Sequence, residues 1–234
     1  MTSIKNKLDH SQKRIAQAAK NVSREHQEIN LLAVSKTKPV SDIIEAYQAG
    51  QRLFGENYVQ EAETKINALN VQYSDIEWHF IGPLQSNKTK IVSQLFDWVH
   101  TIDREKIATR LSEQRPHTLP PLNVCIQVNI GKEATKSGIQ CNEIMSLAKH
   151  IDTLPNIHLR GLMAIPSANI EEQKARLELT QLHTSFIELK QHYPKVDTLS
   201  VGMSQDLELA VEHGSTMVRI GSAIFGARPN KKET

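Results

Sequence analysis

Eight short apolar runs, at 31–34, 52–54, 78–81, 98–102, 124–130, 159–165, 198–201 and 217–220, alternate along the chain with segments of helical spacing. A run such as "LLAV" at 31–34 is apolar at every position, which suits a strand covered on both faces, as in a parallel sheet. Between the runs, Val59, Ala62, Ile66 and Leu69 make one helical stripe, and Ile144, Leu147, Ala148 and Ile151 make another. Leu179, Leu182, Phe186 and Leu189 make a third, which Pro194 stops. Gly50 and Gly214 stand where helix C-caps belong, and Ser41, Ser86 and Ser204 where N-caps belong. Ahead of the first strand, Ile4, Leu8, Ile15 and Val22 share one helical face and predict a further helix within residues 1–25. Eight strand–helix alternations in 234 residues, a little under the usual ~250, predict an α/β chain folded as a single (β/α)8 TIM barrel with an extra N-terminal helix. An open doubly wound sheet is the competing architecture, but neither GxGxxG nor a P-loop lysine motif is present. Residues 1–234 therefore read as one domain, closing in a short polar tail at 229–234.

Hydrophobic content of 39% and a net charge of +2 are those of an ordinary globular protein. No basic stripe suggests nucleic acid, and no polybasic or membrane-length apolar stretch suggests a lipid surface. The start has no apolar h-region, so a cytoplasmic protein is expected. Cys125 and Cys141 form no CxxC, and Cys125, inside "VCIQVNI", reads as a small buried hydrophobe. His79 has no second histidine at ligand spacing, so it reads as a core histidine and no metal site is expected.

In a barrel of this kind, functional groups project from the C-terminal ends of the strands. Ser35 and then Lys36 come at the end of the first strand. A buried ammonium is costly and its pKa falls, which frees the neutral amine to attack a carbonyl. The plainer alternative is a lysine that snorkels to the rim or pairs with a carboxylate. If the strand continued, Lys38 would point the same way. Strand seven ends in Ser200 and Gly202, and strand eight in Gly221 and Ser222. That is the composition of a phosphate cup where barrels keep theirs, although small residues also let a helix pack closely on a strand. Arg219 needs an acceptor, either a carboxylate or a heteroaromatic ring nitrogen across the mouth. Asn57, in "FGENYVQE", suits a helix N-cap first and a ligand contact second. Lys136, in "GKEATKSGI", reads as a mobile loop cation. An amine, a phosphate cup and an arginine facing a ring together describe one cofactor, pyridoxal 5'-phosphate.

The words "AVSKTKP", "FGENYVQE", "WHFIGPLQSNK", "LRGLMAIP", "LSVGMS" and "VRIGSAIFGAR" run in order from about 31 to 228. In these the chain resembles the pyridoxal phosphate homeostasis protein family (YggS/PROSC). The resemblance implies a barrel similar to the N-terminal domain of alanine racemase, with pyridoxal phosphate held by Lys36 as an internal aldimine. It further implies that Ser200, Gly221 and Ser222 hold the phosphate, that Arg219 faces the pyridine nitrogen, and that Asn57 contacts the cofactor. Val201 and Ser222 are mild departures from the family pattern.

Holding the cofactor differs from using it. Racemisation needs a base on each face of the substrate carbon, and in alanine racemase the second is a tyrosine brought across a domain and subunit boundary. This chain ends soon after strand eight, and only Tyr58 lies near a strand end. The expectation is thus a non-enzymatic carrier or buffer, with no catalytic residues, serving vitamin B6 and amino-acid/keto-acid balance. Its expected partners are pyridoxal phosphate and recipient apo-enzymes, and a monomer is expected. The alternatives are a slow racemase needing a partner for its second base, and a Schiff-base aldolase without cofactor, for which Arg219 has no evident use. The sequence leaves open whether Lys38 or Lys136 forms a second cofactor site.

Overall fold

All eight strands form where the apolar runs place them, and they close on themselves. They are β1 (Asn30–Val34), β2 (Leu53–Glu56), β3 (Glu77–Phe80), β4 (Trp98–Ile102), β5 (Leu122–Val128), β6 (Ile157–Ala164), β7 (Thr198–Ser200) and β8 (Met217–Ile220). The computed structural model describes residues 3–133, 135–167 and 170–227, so the polar tail read at 229–234 lies outside the described residues. Each strand pairs in parallel with the next, and β8 returns to β1 with Leu32 opposite Arg219 and Ala33 opposite Ile220. Closure leaves no unpaired sheet edge. The helices are α1 (Ile4–Asn21), α2 (Val40–Gln48), α3 (Val59–Leu69), α4 (Thr89–Leu95), α5 (Glu105–Gln114), α6 (Ile144–Asp152), α7 (Glu172–His192), α8 (Leu207–Glu212) and α9 (Ser222–Phe225).

The extra N-terminal helix is present but stops at Asn21, short of the predicted 25. Ser23 turns the chain with φ 55° and the Arg24 N–H bonds back to the Ala19 carbonyl at 3.0 Å, so the segment reverses before β1. Ile4, Leu8 and Ile15 are buried, and α1 packs against α8 and α9. Arg14 adds two bonds to Glu208 and one to the Ser204 carbonyl. Gly50 and Gly214 follow α2 and α8 with positive φ, as expected of glycines just past a helix end.

The three serines proposed as N-caps do not cap. Pro39 precedes α2 and Ser41 lies inside its first turn. Gln85 precedes the short 3₁₀ turn that leads into α4. Asp206 begins α8 and accepts the Met203 N–H at 2.7 Å. Each start is displaced from its serine by one or two residues, to Pro39, Gln85 and Asp206, and none of these three makes a side-chain cap bond.

The largest fully buried side chains include Phe54, Phe80, Phe96, Leu32, Ile102 and Ile126. Cys125 is fully buried in a small cluster with Trp98 and Met163, and burial pushes its thiol pKa far up. The buried set also contains His79, His100, Ser200 and Arg219, which is unusual where barrel interiors are dominated by branched apolar residues. Among the described residues, no helix is long and apolar enough to cross a membrane, and no cluster of His, Cys, Asp or Glu could hold a metal.

Candidate functional site

The β1 strand ends at Val34, and the chain then turns. The Lys38 N–H bonds to the Ser35 carbonyl at 3.1 Å and Thr37 takes φ 63°. Lys36 therefore sits half-buried at the corner of a turn, and Lys38 does not share its side as an extended strand would require. The Lys38 Nζ instead reaches the Ala227 carbonyl at 2.8 Å, tying this turn to the segment after α9.

A buried ionic cluster holds the turn. Ser35 Oγ donates to Glu56 Oε1 at 2.7 Å, and Lys65 Nζ donates to the Ser35 carbonyl and to Glu56 Oε1, each at 2.8 Å. Glu61 receives the third Lys65 bond at 2.5 Å and also the Thr37 N–H. Burial raises the Glu56 carboxyl above its ordinary value, and the Lys65 charge with the Lys65 and Ser35 hydrogen bonds works against that rise. Neither Glu56 nor Lys65 is a predicted site residue. The signal was there: Lys65 lies on the face of Ala62, Ile66 and Leu69, and Glu56 ends an apolar run.

Asn57 follows β2 but does not cap α3; Tyr58 is the N-cap position and makes no side-chain cap bond. The Asn57 Oδ1 is buried with no hydrogen-bond partner among the described residues. Gly82 packs on the Asn57 backbone so closely that any side chain there would collide with its carbonyl oxygen.

On the other side of β1, Arg219 extends into the barrel. Its Nη1 donates to the Ser200 carbonyl at 2.7 Å and to Ser200 Oγ at 2.8 Å, and its Nη2 donates to the Ala164 carbonyl at 2.9 Å. The acceptors are thus two carbonyls and a hydroxyl, with no carboxylate in ion-pair contact among the described residues. Burial lowers its pKa to about 10, with Asp206 pulling the other way, so it stays a cation at neutral pH. Of five guanidinium N–H groups, three are bonded; Nε–H and one Nη2–H remain without a partner among the described residues.

Ser200 is fully buried, and its hydroxyl lies between Arg219 Nη1 and His100 Nδ1, the latter at 2.9 Å. The residue meant for the phosphate cup is occupied beside the arginine. Gly221 and Ser222 lie at the start of the short α9. A Cβ at Gly221 would stand 3.2 Å from the Val34 carbonyl and 3.3 Å from Val34 Cβ, so glycine lets the end of β8 approach the end of β1. Ser222 is exposed, and the first turn of α9 leaves the N–H groups of Ser222 and Ala223 outside the intrahelical ladder. Gly202 follows the plainer alternative: a side chain there would strike Ala210 Cβ at 2.6 Å, so it serves helix packing.

Strands β7, β8, β1 and β2 are neighbours, so Ser200, Arg219, Gly221, Ser222, Lys36 and Asn57 occupy one arc of the mouth. Lys136 lies elsewhere and is no loose cation: its Nζ donates to the Pro166 carbonyl at 3.0 Å and pairs with Glu133 at 2.8 Å.

The model of the alanine racemase N-terminal domain family matches residues 7–229. A pyridoxal phosphate homeostasis protein of Pasteurella multocida is 54% identical over 231 residues, covering 98% of this chain and 99% of its own length. Its counterpart in Escherichia coli is 54% identical over 234 residues, the full length of both. Among solved structures, PipY of Synechococcus elongatus with PLP bound is 35% identical with TM-score 0.78, over 91% of this chain and 100% of that one.

Proposed function

The chain belongs to the pyridoxal phosphate homeostasis proteins, within the alanine racemase N-terminal domain family, and on that premise we propose that it holds pyridoxal phosphate reversibly at this arc of the barrel mouth. The observation that carries the reading is the set of unmet polar groups there. Two N–H groups of a buried cation, one buried amide oxygen on Asn57 and two helix-start N–H groups stand around the amine-bearing turn. A phosphorylated pyridine aldehyde has an acceptor or donor for each.

In this reading the Lys36 amine would take the aldehyde carbon, and the turn at Gly221 would hold the phosphate through the N–H groups of Ser222 and Ala223 and the Ser222 hydroxyl. Arg219 offers Nε–H or Nη2–H to the ring nitrogen. Asn57 contributes from the β2 side. Ser200 acts through Arg219 and not on the phosphate, because its hydroxyl is already bonded within the barrel. When bound, pyridoxal phosphate supplies an aldehyde for amines and, in enzymes, an electron sink. Arg219 limits the second use, since a guanidinium near pKa 10 retains its proton against a pyridine nitrogen. The role proposed is therefore non-catalytic: storage and delivery of the cofactor, with apo-enzymes as recipients.

The test is the absorption spectrum of the loaded protein before and after borohydride, with peptide mapping. A reducible band that maps to Lys36 and is lost in Lys36→Ala, with the fold retained, supports the proposal. A reduced adduct on another lysine, unchanged by Lys36→Ala, overturns the assignment.

A further inference from the structure

The barrel interior carries a line of hydrogen bonds that the cofactor arc does not account for. Glu77 Oε1 lies 2.9 Å from His79 Nε2; His79 Nδ1 lies 2.9 Å from His100 Nε2; His100 Nδ1 lies 2.9 Å from Ser200 Oγ. Ser200 Oγ in turn accepts from Arg219. The line starts at the first residue of β3, where the Glu77 side chain is 44% exposed, and crosses through β4 to β7 and β8. Both imidazoles are fully buried, and Trp98 stacks on His79 with 5.3 Å between ring centroids.

With a single proton on His79, the partners fix the direction of every bond. A carboxylate only accepts, so His79 Nε2 donates to Glu77. A neutral His79 then accepts at Nδ1, and His100 Nε2 donates to it. His100 Nδ1 is left to accept, and the Ser200 hydroxyl donates inward to it. The Ser200 oxygen consequently turns its lone pairs to Arg219. Burial foremost, with the nearby Arg219 charge, holds His100 well below its ordinary pKa and so neutral. At Glu77 burial favours protonation, but the hydrogen bond from His79, with smaller help from Arg160, outweighs it and holds the carboxyl below its ordinary pKa.

We infer that His79 and His100 are positioning residues for the cofactor: they orient Ser200, which anchors Arg219 so that its remaining N–H groups face the ring nitrogen. This rests on the proposed function and assigns the barrel interior a part in it. It also explains why a two-histidine line occupies space that branched apolar side chains fill in other barrels. A merely structural polar core has no need of a single bond direction ending on the arginine.

The experiment uses the full chain, with pyridoxal phosphate as the probe. Nitrogen-15 NMR of the protein without cofactor reads the rings directly: at neutral pH both should carry hydrogen on Nε2 alone. A His100 protonated at Nδ1, or a doubly protonated His79, overturns the relay. The second arm is cofactor affinity. His100→Asn places an oxygen where Nδ1 stood and should cost at most about threefold, whereas His100→Phe should cost about tenfold. A packing role alone predicts the reverse order, because Phe fills the space and Asn leaves it empty, and that order or equal affinities would sink the inference. Should His100→Phe not fold, Ser200→Ala replaces it, with the same loss of about tenfold expected and an unchanged affinity counting against. A wild-type chain that takes up no pyridoxal phosphate overturns the proposed function and this inference together; binding by the wild type with the variant order reversed overturns the inference alone.

Discussion

At the scale of single residues, the cluster under the Lys36 turn stands out. Lys65 and Glu56 are both buried, and each is costly to bury without the other. The pair fixes Ser35, and through it the corner that carries Lys36. Lys65→Met keeps most of the volume but leaves Glu56 without its counter-charge, so a loss of about 3–5 kcal/mol is expected in urea unfolding at neutral pH. The pH dependence follows from Glu56, whose folded pKa is already raised by burial. A carboxyl raised on folding contributes stability that is present below its unfolded pKa and lost as pH rises through the folded one. Removing Lys65 raises the folded value further. The deficit of Lys65→Met should therefore shrink as pH falls toward 4.5, where Glu56 takes up a proton in either state. A deficit that stays constant over that range would place the cost in lost packing instead.

At the scale of elements, α1 is an integral part of the wall, seated on α8 and α9 beside the two strands that carry Ser200 and Arg219. Ile15 is 1% exposed, so Ile15→Ala should cost about 2–5 kcal/mol in thermal or denaturant unfolding. A loss under ~0.5 kcal/mol, the scale of surface substitutions, would make α1 an appendage. The strands, the extra helix and the long stripes were readable because burial imposes a period, and the chain obeys it over whole elements. What the sequence hid depends on contacts between distant positions. His100 stands in "WVHTI", which reads as one apolar strand, and its partners are 21 and 100 residues away. The serines offered as N-caps failed because the helix starts lie one or two residues away, a shift finer than the apolar spacing resolves. The positive φ of Thr37, which parts Lys36 from Lys38, left no mark in "SKTKP". Of the proposed site, then, the amine, the arginine and the α9 start could be named from the sequence, and the groups that hold them in place could not.

At the scale of the whole molecule, the question is whether the barrel only holds pyridoxal phosphate or also uses it. The geometry around Arg219 weighs for holding. Its guanidinium is anchored by two carbonyls and a hydroxyl, and its pKa of about 10 keeps it charged. A ring nitrogen facing such a group accepts a hydrogen bond without gaining the proton, and the ring then stabilises a carbanion poorly. Proton return on the opposite face would also need a second base. The aromatic hydroxyl nearest the arc in sequence is Tyr58, half exposed at the N-cap of α3, where its side chain makes no cap bond. Loaded protein mixed with alanine in deuterium oxide should therefore exchange the α-proton no faster than free pyridoxal phosphate at the same concentration, followed by the decay of the proton NMR signal. The same sample should give up its cofactor to an added apo-aminotransferase, read as recovered activity. Exchange well above the free cofactor, with scrambling of the alanine stereocentre, would make the slow racemase the correct reading, and Arg219 would then need a different account. Exchange at background together with transfer leaves storage and delivery as what the amine at the end of β1 is for.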